Sequence, residues 1–244
     1  MRNLLVEIAY NGSGYHGFQV QDNALTVEEA VQDAIERILG IREKIIGCSR
    51  TDAGVHANSY FFNMHTENPI ECERFVAALN HHLPHDIAAL SCKEVEEDFH
   101  ARYWAKKKEY VYKIYNSSAK NPFMHNLVFQ YKYPLDVEKL DRAAKHFLGT
   151  HDFVAFRKED TKDRDSIRTI YKSEVYREGD LVIFTVSGNG FLYNMVRIMV
   201  GTLLGVAQGK IGEDEIPEII ESRDRTRAGI TASPCGLYLN RVEY

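Results

Sequence analysis

The sequence predicts an α+β fold, and three observations carry that expectation. Helical stripes and alternating strand patterns are interleaved without the strict strand–helix–strand repeat of a parallel sheet. The clearest strand pair, 167–177 and 181–187, is joined across Gly179 and reads as an antiparallel hairpin. The order strand, helix, strands, helix, strand recurs roughly in both parts of the chain, although no sequence repeat is visible by eye. Two similar α+β halves, 1–104 and 105–244, sharing one antiparallel sheet would place a cleft between them.

The first strand follows from the alternation of Leu4, Val6, Ile8 and Tyr10 with Glu7 and Ala9. Asn11-Gly12-Ser13-Gly14 punctuates it, and Tyr15-His16-Gly17-Phe18-Gln19 follows as a glycine-flanked aromatic loop, suited either to a ligand or to packing. Thr26 and Glu29 form a capping box ahead of the stripe Val27, Ala30, Val31, Ala34, Ile35, Ile38 and Leu39, and Gly40 stops that helix. Apolar runs at 44–47 and 59–64 read as strands. A helix after Pro69 carries Phe75, Val76 and Leu79, and 87–95 reads as the next strand.

Strand 109–115 places Tyr110, Tyr112 and Ile114 on one face and Val111, Lys113 and Tyr115 on the other. A strand at 127–133 precedes a helix beginning near Asp136, with Val137, Leu140, Ala144, Phe147 and Leu148 as its stripe. Residues 152–156 are short and aromatic, and 158–164 read as a charged surface loop. The stretch 191–201 is apolar nearly all round and reads as a central helix. A polar helix at 214–222 and a final strand at 237–242 complete the chain.

With 244 residues, 44% of them hydrophobic and 27% charged, the chain is long enough for one large domain or two closely joined ones, with no disordered bias. The N-terminal apolar run is too short and too soon charged for a signal peptide. The longest apolar stretch, 191–207, is interrupted by Asn194 and Arg197, so no membrane span is expected. Cys48, Cys72, Cys92 and Cys235 make no CxxC pair and read as free thiols of a cytoplasmic protein. A net charge of −5 does not announce a nucleic-acid binder, but charge is uneven. Arg102, Lys106, Lys107, Lys108 and Lys113 lie close together, and Arg223, Arg225 and Arg227 alternate. A basic groove on an acidic body and a mixed solvated surface both fit.

Three features invite chemistry. Cys48-Ser49-Arg50-Thr51-Asp52-Ala53-Gly54-Val55-His56 puts an arginine, a carboxylate and a glycine on a loop between strands, where function concentrates; the same residues suit a plain β-turn. Arg197 interrupts the apolar helix. A guanidinium there needs a carboxylate or phosphate partner unless its head reaches water. The basic, tyrosine-rich strand 109–115 suits phosphate binding and base stacking, and equally an edge strand with a half-buried aromatic face. His81, His82 and His85 make no metal site, because Pro84 breaks the helix that would align them and no fourth ligand is evident.

Several motifs in order resemble the tRNA pseudouridine synthase A family. They are Arg50-Thr51-Asp52-Ala53-Gly54-Val55-His56, Phe99-His100-Ala101-Arg102, Tyr110-Val111-Tyr112-Lys113-Ile114-Tyr115-Asn116, Met195-Val196-Arg197-Ile198-Met199-Val200-Gly201, Asp224-Arg225-Thr226 and Gly236-Leu237-Tyr238-Leu239. Ser49 departs from the glycine common at that place in the family. The resemblance implies the pseudouridine synthase fold, with two similar halves around a central cleft. It implies a cofactor-free homodimer that isomerises uridine to pseudouridine in the tRNA anticodon stem-loop, at positions 38, 39 and 40. Asp52 is then the nucleophile or base, Arg197 its charge partner, and Arg50 the residue that fills the space left by a flipped base. Tyr110 and Leu237 would sandwich the uracil, although Leu237 also suits plain core packing. Lys106, Lys107, Lys108, Arg168 and the 223–227 arginines become phosphate contacts. Another structured RNA as substrate, a non-catalytic RNA-binding module and a nucleoside glycosidase stand as alternatives. The last of these needs a second close carboxylate that the motif lacks.

Overall fold

A computed structural model describes residues 1–158 and 165–244. Of the expected charged loop 158–164, all but Lys158 lies outside the described residues. The chain packs as two compact units, Met1–Lys106 with Tyr238–Tyr244, and Lys107–Leu237. The closing strand, read from the sequence as part of the second half, packs with the first.

The first unit is built on strand β1 (Arg2–Tyr10), which pairs antiparallel with β3 (His56–Thr66) on one side and β4 (Ile87–Val95) on the other. The short β2 (Ile45–Gly47) pairs antiparallel with β3. Within this mainly antiparallel sheet, β10 (Leu237–Glu243) runs parallel to β3, with Tyr238 opposite His56 and Leu239 opposite Ala57. Parallel pairing needs no local hairpin, so the last segment can enter from far along the chain. Helix α1 (Val27–Leu39) begins where the Thr26 hydroxyl accepts the Glu29 N–H at 3.3 Å and ends at Gly40. It packs on α2 (Cys72–His82), which covers β4. Asn80 ties α2 to that strand, accepting from the Ala89 N–H and donating to the Ala89 carbonyl, both at 2.8 Å.

The second unit centres on β5 (Lys107–Tyr115), β8 (Ile167–Glu178) and β9 (Leu181–Gly188). The expected hairpin is present, with Glu178 opposite Leu181. β5 pairs antiparallel with β9 along its length and parallel with β6 (Phe129–Gln130) at its end, so it is not an edge strand. The strand expected at 127–133 shrinks to those two residues. β7 (Gly149–Asp152), too short and polar to register as a strand in the sequence, pairs with β8. Helix α3 (Val137–Lys145) starts at Asp136, whose carboxylate accepts the Lys139 N–H at 3.0 Å, and packs on β8 and α4.

Helix α4 (Met195–Ala207) is buried nearly all round, as its composition requires. It starts four residues later than expected, because Asn194 takes a left-handed conformation (φ 62°) and breaks the helical path before it. The polar helix expected at 214–222 is a 3₁₀ turn followed by α5 (Ile216–Ser222).

Candidate active site

In the first unit, loop 48–55 connects β2 to β3. The Asp52 carbonyl accepts the Val55 N–H at 3.1 Å, and Gly54 lies at φ 76°. This is the β-turn that the sequence offers as the plain alternative, with glycine at the position that needs φ > 0. The turn is held from both sides. Upstream, the Thr51 hydroxyl is 2.8 Å from the Tyr10 hydroxyl, and the Thr51 carbonyl accepts the Phe18 N–H at 3.3 Å. Downstream, His56 is fully buried, its Nδ1 accepts the Gly12 N–H at 3.0 Å, and its ring stacks on Tyr238 with centroids 4.6 Å apart. Gly54 N–H donates to the Tyr15 carbonyl at 3.1 Å.

The aromatic loop 15–19 therefore packs, at Tyr15 and Phe18, rather than waiting for a ligand. Both rings are buried. Phe18 stacks on Tyr60 at 4.1 Å, and the Tyr60 hydroxyl donates to the Ser49 carbonyl. The Tyr15 hydroxyl donates to Asp86 at 2.6 Å; burial, then that carboxylate, holds its pKa well above the ordinary phenol value. The result is a loop with a buried frame, a half-buried Asp52 and an exposed Arg50. Ser49, the departure from the family pattern, is fastened through its own backbone carbonyl, which any residue type would supply.

In the second unit, Tyr110 lies on β5, buried, with its ring edge-to-face against Phe191 at 5.1 Å. Arg197 is half-buried on α4, and its head does not simply reach out to water. Nε donates to the Ala232 carbonyl at 2.7 Å and Nη1 to the Asn194 side-chain oxygen at 3.2 Å. The Ala232 N–H returns a bond to the Arg197 carbonyl at 3.0 Å. Arg197 thus fastens α4 to the segment that leads into Leu237.

That segment is pinned at further points. Thr202 Oγ1 accepts the Gly229 N–H at 2.9 Å, and the Tyr112 hydroxyl donates to the Ser233 carbonyl at 2.8 Å. At the closest approach, a Cβ on Gly201 would stand 1.6 Å from the Ile230 carbonyl oxygen, so only glycine fits there. Leu237 is buried, as plain core packing also requires, and opens β10 after the turn at Pro234–Gly236. Asn194 and Tyr112 are the positioning residues that the sequence reading missed. A polar residue just before an apolar helix was the available signal for the first.

The basic residues divide. Arg225 is spent on its own turn, donating to the Gly229 carbonyl at 2.9 Å, while exposed Arg223 and Arg227 reach Asp152 and Glu218 at 2.8 and 3.3 Å. Arg168 pairs loosely with Asp165 at 3.5 Å. Lys106 is exposed, and Lys107 and Lys108 are half-buried on β5. Among the described residues, no group of three or more His, Cys, Asp or Glu is placed to hold a metal ion, and no helix is long and apolar enough to cross a membrane.

The sequence pattern of the family described as tRNA pseudouridine synthase matches residues 7–104 and 143–244. The chain is 49% identical over 244 residues to the tRNA pseudouridine synthase A of Acetivibrio thermocellus, 46% to that of Thermoanaerobacter sp. (strain X514) and 44% to that of Clostridium acetobutylicum. In each case the whole of both chains is covered.

Proposed function

Because the chain belongs to the tRNA pseudouridine synthase family, we propose that its isomerisation of tRNA uridines runs through Asp52, with Arg50, Tyr110, Arg197 and Leu237 in support. The observation that carries the assignment of Asp52 is its frame. The turn is locked at Thr51, Gly54 and His56 by buried partners, so a half-buried carboxylate is presented on a rigid loop.

The reaction breaks the N1–C1′ bond of uridine, turns the uracil, and joins C5 to C1′. The C5 proton is lost and N1 ends protonated, so atoms balance without a co-reactant or cofactor. Asp52 acts by attacking C1′, by attacking C6, or by removing the 2′ proton; all three routes need it ionised. Arg197 supplies the positive charge that favours the ionised form. The target base is stacked in RNA and must be flipped out, at about a few kcal/mol, with the exposed Arg50 taking the vacated space. Tyr110 and Leu237 offer the uracil apolar faces. Such contacts permit rotation, whereas directional hydrogen bonds would fix one orientation. The substrate uridines are those at positions 38, 39 and 40 of the anticodon stem-loop, and the working form is a homodimer.

Transcripts of tRNA carrying tritium at uracil C5 test the chemistry. Wild-type protein is expected to release tritium, and Asp52→Ala to bind the transcript without releasing it. Equal release from both proteins removes Asp52 from the mechanism. Transcripts with single uridines at 38, 39 or 40 test the sites, and a 28.0 kDa species in light scattering would refute the dimer.

A further inference from the structure

The turn 99–104 combines two properties that rarely coincide. Its ring tips are exposed and its backbone is nailed down. Tyr103 is 75% and Trp104 42% exposed, side by side in sequence. Beneath them, Asn3 and Asn63 are buried, and together they satisfy the turn. Asn3 Nδ2 donates to the Phe99 carbonyl at 3.0 Å, Asn63 Nδ2 donates to the Asn3 side chain at 3.0 Å, and Asn63 Oδ1 accepts the Ala101 N–H at 2.9 Å. The Tyr244 hydroxyl donates to the Ala101 carbonyl at 2.9 Å, and the His100 carbonyl accepts the Trp104 N–H at 3.0 Å.

The rings are also held. His100 Nδ1 accepts the N–H groups of Arg102 and Tyr103 at 3.2 and 3.3 Å, and its ring lies against Tyr103 with centroids 4.2 Å apart. Phe99 backs Trp104 at 5.1 Å. Arg102 Cζ is 5.9 Å from the Tyr103 centroid. Neither ring needs exposure for the fold. A surface that orders exposed aromatics before binding loses little entropy when something stacks on them.

We propose that Tyr103 and Trp104 form a stacking platform for an unpaired nucleobase of the tRNA substrate. The proposal rests on the reading of the chain as a tRNA isomerase. Aromatic faces beside a guanidinium are the chemistry that captures splayed-out bases, tolerant of base identity because every base has a π-face. The exposed acidic run Glu96, Glu97 and Asp98 lies just upstream and the phosphate-contact candidates Lys106, Lys107 and Lys108 just downstream, so the rings between them are placed to receive a base while the lysines hold the backbone.

Trp104 is the chain's single tryptophan, so its fluorescence reports on this turn alone. Adding unmodified tRNA is expected to quench it, and adding fully duplex RNA, whose bases stay stacked, is not. Tyr103→Ala is expected to weaken tRNA binding about tenfold, with Tyr103→Phe restoring it. Filter retention of tRNA with Trp104 emission unchanged overturns the proposal, as does Tyr103→Ala affinity indistinguishable from wild type. Emission that shifts with protein concentration in the absence of RNA also overturns it, in favour of contact with a second copy of the chain. Tritium release by the wild type is scored separately. Its absence despite quenching would sink the isomerase reading and leave the platform standing.

Discussion

Replacing Gly201 by alanine should be among the most disruptive single-methyl additions this protein can receive. Real Cβ atoms do not approach other heavy atoms within 3.0 Å, and the new one would start 1.6 Å from the Ile230 carbonyl oxygen, so segment 229–232 must retreat by about 1.4 Å. Overpacking of this kind costs about 1–3 kcal/mol. The same retreat pulls apart three hydrogen bonds, from Gly229 to Thr202, from Arg197 to the Ala232 carbonyl and from Ala232 back to Arg197, each contributing about 1 kcal/mol net. Alanine recovers about 1 kcal/mol of helix propensity. The expected loss is about 3–5 kcal/mol in urea unfolding. Gly205, one turn on, is the control, because there a Cβ meets a side chain and no backbone, Ile211 Cδ1 at 2.8 Å and Cγ1 at 3.2 Å. Gly205→Ala should cost about 1 kcal/mol or less. Equal stabilities for the two variants would refute the backbone-collision account.

Other perturbations have equally direct expectations. Asn63→Leu leaves the Ala101 N–H and the Asn3 side-chain oxygen without their buried partner, so it should lose about 2–5 kcal/mol and, by loosening the backbone around the already exposed Arg102, speed trypsin cleavage there; unchanged digestion would contradict the anchoring role. Thr26→Ala removes a fully buried cap and should cost about 1 kcal/mol in thermal unfolding, with Thr26→Ser close to wild type. Burial raises the phenol pKa values of Tyr112 and Tyr244 above the ordinary 10.0. Above that pH the unfolded chain ionises first and binds fewer protons, so stability is full below pH 10 and falls as pH rises. Tyr112→Phe should flatten the decline, and melts of equal steepness would argue against it. Binding of tRNA should weaken as salt rises, and an affinity indifferent to salt would remove Lys106, Lys107, Lys108 and Arg168 as phosphate contacts.

What could be read from the sequence was what local chemistry decides. The cap at Thr26, the stop at Gly40, the strand at 87–95 and the hairpin across Gly179 each depend on a few adjacent residues, and each is where the pattern put it. The elements that escaped depend on distant partners. β7 is polar and forms only because β8 offers an edge, and the late start of α4 follows from the left-handed Asn194. The same division holds for the site. The turn at Asp52 was legible because Gly54 demands it. The frame around it was not, because Tyr10, Gly12, Tyr15 and Phe18 reach it through long-range hydrogen bonds, from hydroxyl to hydroxyl, backbone to imidazole and backbone to backbone, that no periodicity encodes. Asn3 and Asn63 escaped as well, although a polar residue in an apolar strand is a mismatch that points to a hidden partner.

The parallel pairing of β10 with β3 also has a consequence for how the protein is made. The first unit lacks a strand until the whole second unit has emerged from the ribosome. At typical synthesis rates that interval is on the order of ten seconds. Throughout it, His56 lacks the stacked ring of Tyr238 and Ala101 lacks the hydroxyl of Tyr244, so part of the β3 edge stands open to other chains. The nascent chain is therefore most exposed to mispairing after its N-terminal half is complete in length but before it can close. A chaperone that shields that edge would matter more to yield than one that acts on the finished protein.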